Sequence, residues 1–192
     1  MSPKIPNLLT KTVMLALPAW IDEVVDRKRA YLSDEDKVAL AVELSRHNIE
    51  MGSGGPFGAA VFDGNGLVVG VGVNRVVPQS CSVAHAEMMA FMCAQAALSV
   101  FRLNEIGPMT LATSAQPCCM CYGASFWAGI DTLLIGARSE DVMQLTEFDE
   151  GPLPADWIGE LERRGIAVQR DLLRTDARAV LRAYGEAGGE RY

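Results

Sequence analysis

Two short stretches of sequence decide the fold of this chain: HAE at residues 85–87 and PCCMC at residues 117–121. The imidazole of His85 and the thiols of Cys118 and Cys121 are ligands that Zn²⁺ prefers in proteins. Three protein ligands leave the fourth position of a tetrahedral ion open to water, whereas a structural site normally closes with a fourth side chain. The stretches therefore predict one catalytic zinc ion per chain, with a carboxylate beside it.

The spacing in the second stretch fits the start of a helix. Pro117 suits the first helical turn, where its missing N–H would be unpaired anyway. Cys118 and Cys121 then lie at i and i+3, on one face of the helix. The positive end of the helix dipole favours thiolate over thiol at that end. We predict a helix over residues 117–128 whose N-terminus holds both sulfur ligands.

The first stretch also fits a helix N-terminus. His85 and Glu87 are two residues apart, so they would point in different directions from the middle of a helix. From the first turn, both side chains can reach past the helix end, His85 to the metal and Glu87 to the water. We predict a helix over residues 84–99, with Glu87 as the general acid–base group.

A structural zinc site is the alternative to a catalytic one. Cys81, Cys93 or Cys119 would supply its fourth ligand. Cys93 suits a small buried apolar position, and Cys119 points away from its neighbours on the same turn. Cys81 lies in the loop that leads to the histidine and is the strongest of the three. In this alternative the chain is a zinc-stabilised interaction module without chemistry.

Size, charge and cysteine content limit the functional classes. The chain has 192 residues, of which 49% are hydrophobic, and carries a formal net charge of −7. This size suits one domain with a substantial core. The negative charge argues against nucleic acid as a partner, because such binding depends on clustered Lys and Arg. A small neutral substrate fits better.

The cysteines and the N-terminal residues predict a cytoplasmic protein. The odd number of cysteines, five, fits metal ligands and buried thiols better than a disulfide framework. The apolar run at residues 13–17 is interrupted by Pro18 and lacks a following cleavage site, which argues against export. We expect residues 1–32 to be an arm that packs on a domain over residues 33–192, and we expect no membrane span.

Helix and strand patterns alternate along the rest of the chain. Ser33 is a suitable N-cap, and apolar residues at helical spacing continue to Ile49 before Gly52 ends the helix. The sequence DGNG at residues 63–66 predicts a hairpin between the first two strands. A mixed sheet with helices on both faces follows from this order. The predicted strands are 59–62, 67–73, 109–113, 132–136 and 166–170, and residues 177–184 form a last helix.

The acidic segment EFDEGPLP at residues 147–154 is an insertion stiffened by two prolines. A turn before the next helix explains it in structural terms. It also follows the fourth strand, from which a sheet of this type could bring residues over the metal. Both interpretations remain open, as does the question of whether the segment is a mobile lid.

The chain resembles the cytidine deaminase superfamily and, within it, the guanine deaminases. The pattern H-x-E with a later P-C-x-x-C is typical of zinc deaminases. The resemblance extends over most of the chain after about residue 35. The stretches that carry it are GGPFGAAV at 54–61, NRVV at 74–77, HAE at 85–87, TSAQPCCMC at 113–121 and FDEGP at 148–152.

The resemblance implies a fold, an assembly and an activity. The fold is a three-layer α/β/α sandwich with a mixed five-stranded sheet, and the assembly is a homodimer. The activity is zinc-dependent hydrolysis of an aminated heterocycle, most simply guanine to xanthine with release of ammonia. Phe57 would stack on the substrate ring and Asn74 would bind its edge. The other implied site residues are Ala86, Phe148 and Asp149 in the pocket and Glu150 as a second acid.

Two departures from the family pattern leave the substrate open. Gln116 stands where related enzymes usually have glutamate, and Cys119 replaces a more usual valine, proline or methionine. A cytosine or nucleoside deaminase and a tRNA adenosine deaminase share the zinc pattern and remain alternatives. The resemblance also raises the idea that Tyr192, the last residue, reaches a pocket, and that the tails of two subunits are exchanged.

Overall fold

The computed structural model describes residues 9–191, within which five strands form one mixed sheet. The spatial order is β2-β1-β3-β4-β5. β1 is antiparallel to both of its neighbours, whereas β3, β4 and β5 run parallel. This is the predicted mixed sheet, with the predicted hairpin between the first two strands. The strands are β1 (Gly58–Phe62), β2 (Val68–Val73), β3 (Thr110–Ala115), β4 (Thr132–Ala137) and β5 (Ala167–Gln169).

Helices cover both faces of the sheet. Those predicted around the two motifs, after Ser33 and at the C-terminus are present, with ends shifted by a few residues. The short helix at Ser139–Thr146 was not predicted, because it offers few buried apolar positions at helical spacing. The helices are α1 (Ile21–Val24), α2 (Asp34–Glu50), α3 (Ala86–Leu98), α4 (Cys119–Ala128), α5 (Ser139–Thr146), α6 (Trp157–Glu162) and α7 (Arg174–Glu186), with a 3₁₀ turn at Leu103–Glu105.

Alternation along the strands divides the interior into two apolar layers. In β1, Ala60 and Phe62 pack in the layer that contains α2 and α7. Ala59 and Val61 point to the opposite layer, which contains α3. Successive side chains of a strand point to opposite faces, so one strand serves both layers. The result is the predicted three-layer α/β/α sandwich.

Small residues let α3 lie unusually close to the sheet. A Cβ atom added at Gly72 would lie 1.9 Å from the carbonyl oxygen of Ala86 and 2.5 Å from the backbone nitrogen of Ala90. At Gly70 it would lie 2.6 Å from the carbonyl oxygen of Ala90. Both glycines belong to β2, and helix backbone occupies the space that their side chains would need. The position of α3 therefore requires glycine at these two points.

The described part of the N-terminal segment packs on the domain. Trp20, Ile21, Val25 and Tyr31 are buried in the same apolar layer as α2. The division into an arm at residues 1–32 and a domain at 33–192 stays a prediction. The idea about Tyr192 falls outside the described residues.

One stretch of the described residues, Ala86–Glu105, has the length and composition of a membrane span. It consists of α3 and the turn after it. Ala86, Ala90 and Ala94 on this helix are buried in the layer that also contains Ala59 and Val61 of β1. The stretch therefore packs as a core helix of a domain does.

Substituting Gly72 tests the close approach of α3 to the sheet. Gly72→Val should lower the free energy of unfolding by about 3 kcal/mol or more, because backbone atoms cannot move aside as a flexible side chain can. Urea denaturation measures this change. Gly64→Ala is the control, since its added Cβ would meet only Pro108, at 3.6 Å or more. Equal stability of the two variants would contradict this account of the α3 position.

Candidate active site

The N-termini of α3 and α4 meet at one point. His85 is the N-cap of α3 and Cys118 is the N-cap of α4, and both have extended backbone. The prediction that Pro117 lies in the first turn is wrong. Because Cys118 has ψ of 174°, the helix begins only at Cys119, and Pro117 stands before the cap. The convergence of the two helix ends on one site is as predicted.

Three potential metal ligands lie together at this point. The ligand atoms of His85, Cys118 and Cys121 are all within 4.8 Å of one another. The Nδ1 atom of His85 is 3.5 Å from the Sγ atom of Cys118. All five cysteines lie within the described residues, and Cys81, Cys93 and Cys119 are not part of this group. This arrangement argues against a fourth cysteine closing the site.

The electrostatics of the three side chains suit a cation. A hydrogen bond from the Cys121 thiol, together with one from His85, lowers the pKa of Cys118 to about 4. The same contact with Cys118 raises the pKa of Cys121. Burial alone would lower the pKa of His85, but its hydrogen bond to Cys118 and the charge of Glu87 outweigh burial and raise it. The lowered pKa of Cys118 favours its thiolate form, which is the form that binds a metal ion.

The donor set fits zinc. One imidazole and two thiols match the ligands of zinc sites that keep an open position, and soft sulfur donors disfavour magnesium or calcium. Among residues 9–191 the group holds these three side chains and no fourth. His85, Cys118 and Cys121 therefore have the chemistry of a catalytic zinc site.

Glu87 lies beside the ligands in the first turn of α3. Its side chain is buried. Burial, followed by the negative charge of Cys118, raises the pKa of this carboxyl to about 7. A carboxyl group with such a pKa can take up and release a proton near neutral pH. Glu87 therefore lies where the predicted acid–base role requires it, and that role stays a prediction.

A cavity of about 210 Å³ opens onto the ligands and Glu87. Every predicted site residue lines it except Cys121, which is buried behind Cys118. Ser82 and Gln116 also line it and were not in the predicted set. Gln116 was noted in the sequence because related enzymes usually have glutamate at that position. No sequence pattern indicated Ser82. The lining residues are Phe57, Asn74, Ser82, His85, Ala86, Glu87, Gln116, Cys118, Phe148, Asp149 and Glu150.

Aromatic rings form part of the cavity wall. The ring centroids of Phe57 and Phe148 are 5.5 Å apart, with 55° between the ring planes. Phe148 is in turn stacked on Tyr184 of α7, at 6.1 Å and 22°. Offset and tilted ring pairs of this kind are favourable. They provide an apolar surface suited to a flat heterocycle.

The 147–154 segment is fastened to the start of α4. The backbone N–H of Cys119 donates to the carbonyl oxygen of Glu150, at 3.0 Å. Gly151 has φ of +67°, and a Cβ there would lie 2.6 Å from the Cys119 sulfur. These contacts hold Glu150 at the cavity. Burial, then the charges of Cys118 and Glu87, raise its pKa to about 8.

Asn74 is buried just beyond the end of β2. Its Oδ1 atom accepts a hydrogen bond from the backbone N–H of Val76, at 3.3 Å. Its backbone carbonyl accepts one from the side chain of Asn48, at 2.9 Å. Asn48 lies on α2 and was not predicted, because the apolar pattern placed Ile49 on the buried face. The sequence signal for Asn48 is its position three residues after Ser45, which is also buried.

Comparison with known proteins connects these features to enzymes of known activity. The chain is 32% identical to a guanine deaminase of Bacillus subtilis over 119 residues, 62% of this chain and 73% of that protein. It is 33% identical to a probable cytosine deaminase of Schizosaccharomyces pombe over 138 residues, 71% of this chain and 80% of that protein.

Solved structures of related chains agree over nearly the whole length. A guanine deaminase from Nitrosomonas europaea is 42% identical, with a TM-score of 0.87 over 94% of this chain and 100% of that one. A related structure in complex with 2,6-diaminopurine is 43% identical, with a TM-score of 0.87 over 93% of this chain and 95% of that one.

The family model for the cytidine and deoxycytidylate deaminase zinc-binding region matches residues 32–137. That range is more than half of the chain and includes His85, Glu87, Cys118 and Cys121. The match agrees with the fold and with the donor set. The chain belongs to this family of zinc-dependent deaminases.

Proposed function

We propose that this protein hydrolyses guanine to xanthine and releases ammonia. The observation that carries the proposal is the buried carboxyl of Glu87 beside the group formed by His85, Cys118 and Cys121, in a cavity with aromatic walls. Similarity to guanine deaminases over most of the chain supports guanine as the substrate.

In this proposal His85, Cys118 and Cys121 hold the zinc ion. Zinc bound there would act as a Lewis acid and lower the pKa of water to near neutrality. The two sulfurs and the imidazole come from the ends of two helices that the sheet already fixes. The site therefore requires little rearrangement to accept the ion.

Glu87 moves the protons of the reaction. Its carboxylate accepts a proton from water as the oxygen attacks the ring carbon that bears the amino group. Glu87 then donates this proton to the adjacent ring nitrogen. Attack forms a tetrahedral carbon, and its C–N bond to the amino group breaks once that nitrogen has received a second proton. Guanine and water are consumed, and xanthine and ammonia are formed.

Glu150 shares the second proton transfer in our proposal. It lines the same cavity as Glu87, and the negative charge of Glu87 is one of the causes that raise the pKa of Glu150, after burial and the charge of Cys118. A raised pKa keeps a proton available on Glu150 near neutral pH. Such a carboxyl can protonate the leaving amino group, so that ammonia and not an amide anion departs. Glu150 then takes up the proton of the new hydroxyl group as the carbonyl of xanthine forms, which restores its starting state.

The cavity walls select a small planar base. We assign Phe57 to stacking on the ring, Phe148 to covering it and Asn74 to its polar edge. Ala86 and the exposed Asp149 complete the contacts at the floor and the rim. The cavity volume of about 210 Å³ is below the roughly 300–1,000 Å³ of pockets for drug-sized ligands. This favours a free base over a nucleoside or a tRNA.

We also propose that the protein is a cytoplasmic homodimer without nucleic acid partners. Trp127 on α4 is 75% exposed, and Met92 on α3 is also exposed. Exposed apolar side chains on adjacent helices are typical of protein interfaces. The net charge of −7 disfavours phosphate binding, and the five unpaired cysteines fit a reducing compartment.

A substrate panel tests the activity. Guanine, cytosine, cytidine, adenosine and an amino-triazine are each incubated with the purified protein, and ammonia release is measured. We expect guanine to give the highest kcat/KM. We expect elemental analysis to give one zinc per chain, and a chelator to abolish turnover until zinc is added back.

The panel separates the alternatives. Preference for cytosine or cytidine would replace guanine as the substrate and keep the mechanism. Mobility shift of tRNA at moderate salt, with adenosine as the preferred substrate, would favour the tRNA enzyme. If no base is hydrolysed and chelation unfolds the protein, the zinc-stabilised interaction module is the better description.

Isosteric substitution tests the two carboxyl groups. Glu87→Gln should lower kcat by about 10²–10⁴-fold, because it removes the group that accepts the proton of water and passes it to the ring nitrogen. Glu150→Gln should lower kcat by about 10²-fold, the lower end of that range, because it removes only the second donor. Steady-state kinetics on guanine measure both effects.

Zinc content and an exposed glutamate provide the controls. Both variants should keep one zinc per chain, since neither carboxyl belongs to the ligand group. Glu162→Gln, on the exposed surface of α6, should leave kcat unchanged. Near wild-type turnover of Glu87→Gln would refute the role assigned to Glu87.

A charge introduced on the exposed face of α4 tests whether the protein forms the proposed dimer. Trp127→Glu should convert a dimer to a monomer in sedimentation equilibrium, because a carboxylate would be buried in the interface without a partner. Phe101→Glu is the control, since Phe101 is equally exposed but lies after α3. A monomeric wild-type protein would contradict the proposed assembly.

A further inference from the structure

The side-chain amide of Asn48 joins two segments that form the cavity. Asn48 lies in the last turns of α2 and is fully buried. Its Nδ2 atom donates to the carbonyl oxygen of Gly55 at 2.8 Å and to that of Asn74 at 2.9 Å. An amide NH₂ group has two donors, and both are used here. One side chain therefore holds two loops that are separate in sequence.

The orientation of this amide is fixed by a second set of hydrogen bonds. The hydroxyl of Ser53 donates to Oδ1 of Asn48 at 2.8 Å. The indole N–H of Trp20 donates to the Ser53 oxygen at 3.1 Å. The carbonyls of Gly55 and Asn74 can only accept, so the NH₂ group must face them. Trp20, Ser53 and Asn48 thus form a directed chain of hydrogen bonds.

The two loops that Asn48 joins carry Phe57 and Asn74, which both line the cavity. The N–H of Phe57 donates to the carbonyl of Gly55 at 2.9 Å, and the N–H of Asn74 donates to that of Phe57 at 3.1 Å. A Cβ atom at Gly54 would lie 1.9 Å from the carbonyl oxygen of Asn74. The loops are therefore in direct contact, and the Asn48 amide donates a hydrogen bond to each of them.

We propose that Asn48 is a positioning residue that sets the affinity of the cavity for its heterocycle. It does not line the cavity, and it acts by holding the Phe57 ring and the Asn74 amide at a fixed separation. The assignment rests on the proposed function for the roles of Phe57 and Asn74, but it does not require that the base be guanine.

Truncation of the amide tests this proposal. Asn48→Ala removes both donors, and loops held by two fewer hydrogen bonds leave the binding conformation for much of the time. An affinity falls in proportion to the population of the competent conformation, so KM should rise about tenfold or more while kcat changes less than about threefold. The Kd of 8-azaguanine, measured by calorimetry, should rise by the same factor as KM.

A second variant and a matched control separate positioning from stability. Ser53→Ala keeps both donors of the Asn48 amide but removes the hydroxyl that donates to Asn48 and accepts from Trp20. It should raise KM by about threefold in a folded protein. Ser45→Ala lies one turn earlier on α2, is equally buried and bonds only to Val42 of its own helix. It should leave KM and Kd unchanged, whatever its effect on stability.

The outcomes judge this proposal and the proposed function separately. Unchanged KM and Kd in Asn48→Ala and Ser53→Ala, with a lower Tm alone, would overturn the positioning role. If the wild-type protein prefers another base of the panel, the substrate assignment fails, and KM is compared on that base. If the wild-type protein hydrolyses none, the proposed function fails, and the Kd of 8-azaguanine still decides the role of Asn48.

Discussion

The site depends on the direct contact between the backbone of α3 and β2. Glycine at position 72 leaves the space that the carbonyl group of Ala86 occupies. Ala86 stands between His85 and Glu87, so this contact fixes the height of both side chains above the sheet. The ligand and the acid–base group therefore owe their positions to a residue with no side chain, and a close-packed interior transmits any change there directly to the site.

Negative charge is the second constraint. Cys118, Glu87 and Glu150 lie around one small cavity, and the charge of Cys118 contributes to the raised pKa of both carboxyl groups. Burial of several acidic groups without a cation is costly. A divalent ion held by the thiolate side of the cavity offsets this cost. The same arrangement leaves two carboxyl groups with pKa values near the pH at which protons must be exchanged.

Features that depend on neighbouring residues could be predicted from the sequence, whereas contacts between distant segments could not. The ligand pattern, the N-cap Ser33 and the DGNG hairpin are short-range signals, and the structure contains all three. The cap position of Cys118, which places Pro117 outside the helix, follows from its extended backbone with ψ of 174°. Asn48 and Ser82 acquire their surroundings only when distant segments meet. The spacing from Ser45 indicates only that Asn48 is buried on α2, and no spacing in the sequence identifies Gly55 and Asn74 as its partners.

Part of the cavity wall comes from residues that follow the zinc-binding region. For this reason the zinc pattern alone does not determine the substrate. The family match ends at residue 137, so it contains the metal ligands but not Phe148 or Glu150. The chain beyond that point is held by a buried carboxylate, Asp141 of α5, which pairs with Arg174 and Arg178 of α7. Since α7 also places Tyr184 against Phe148, the aromatic wall depends on this part of the chain. Deaminases that share the catalytic region can therefore differ in substrate by changing the segments that follow it.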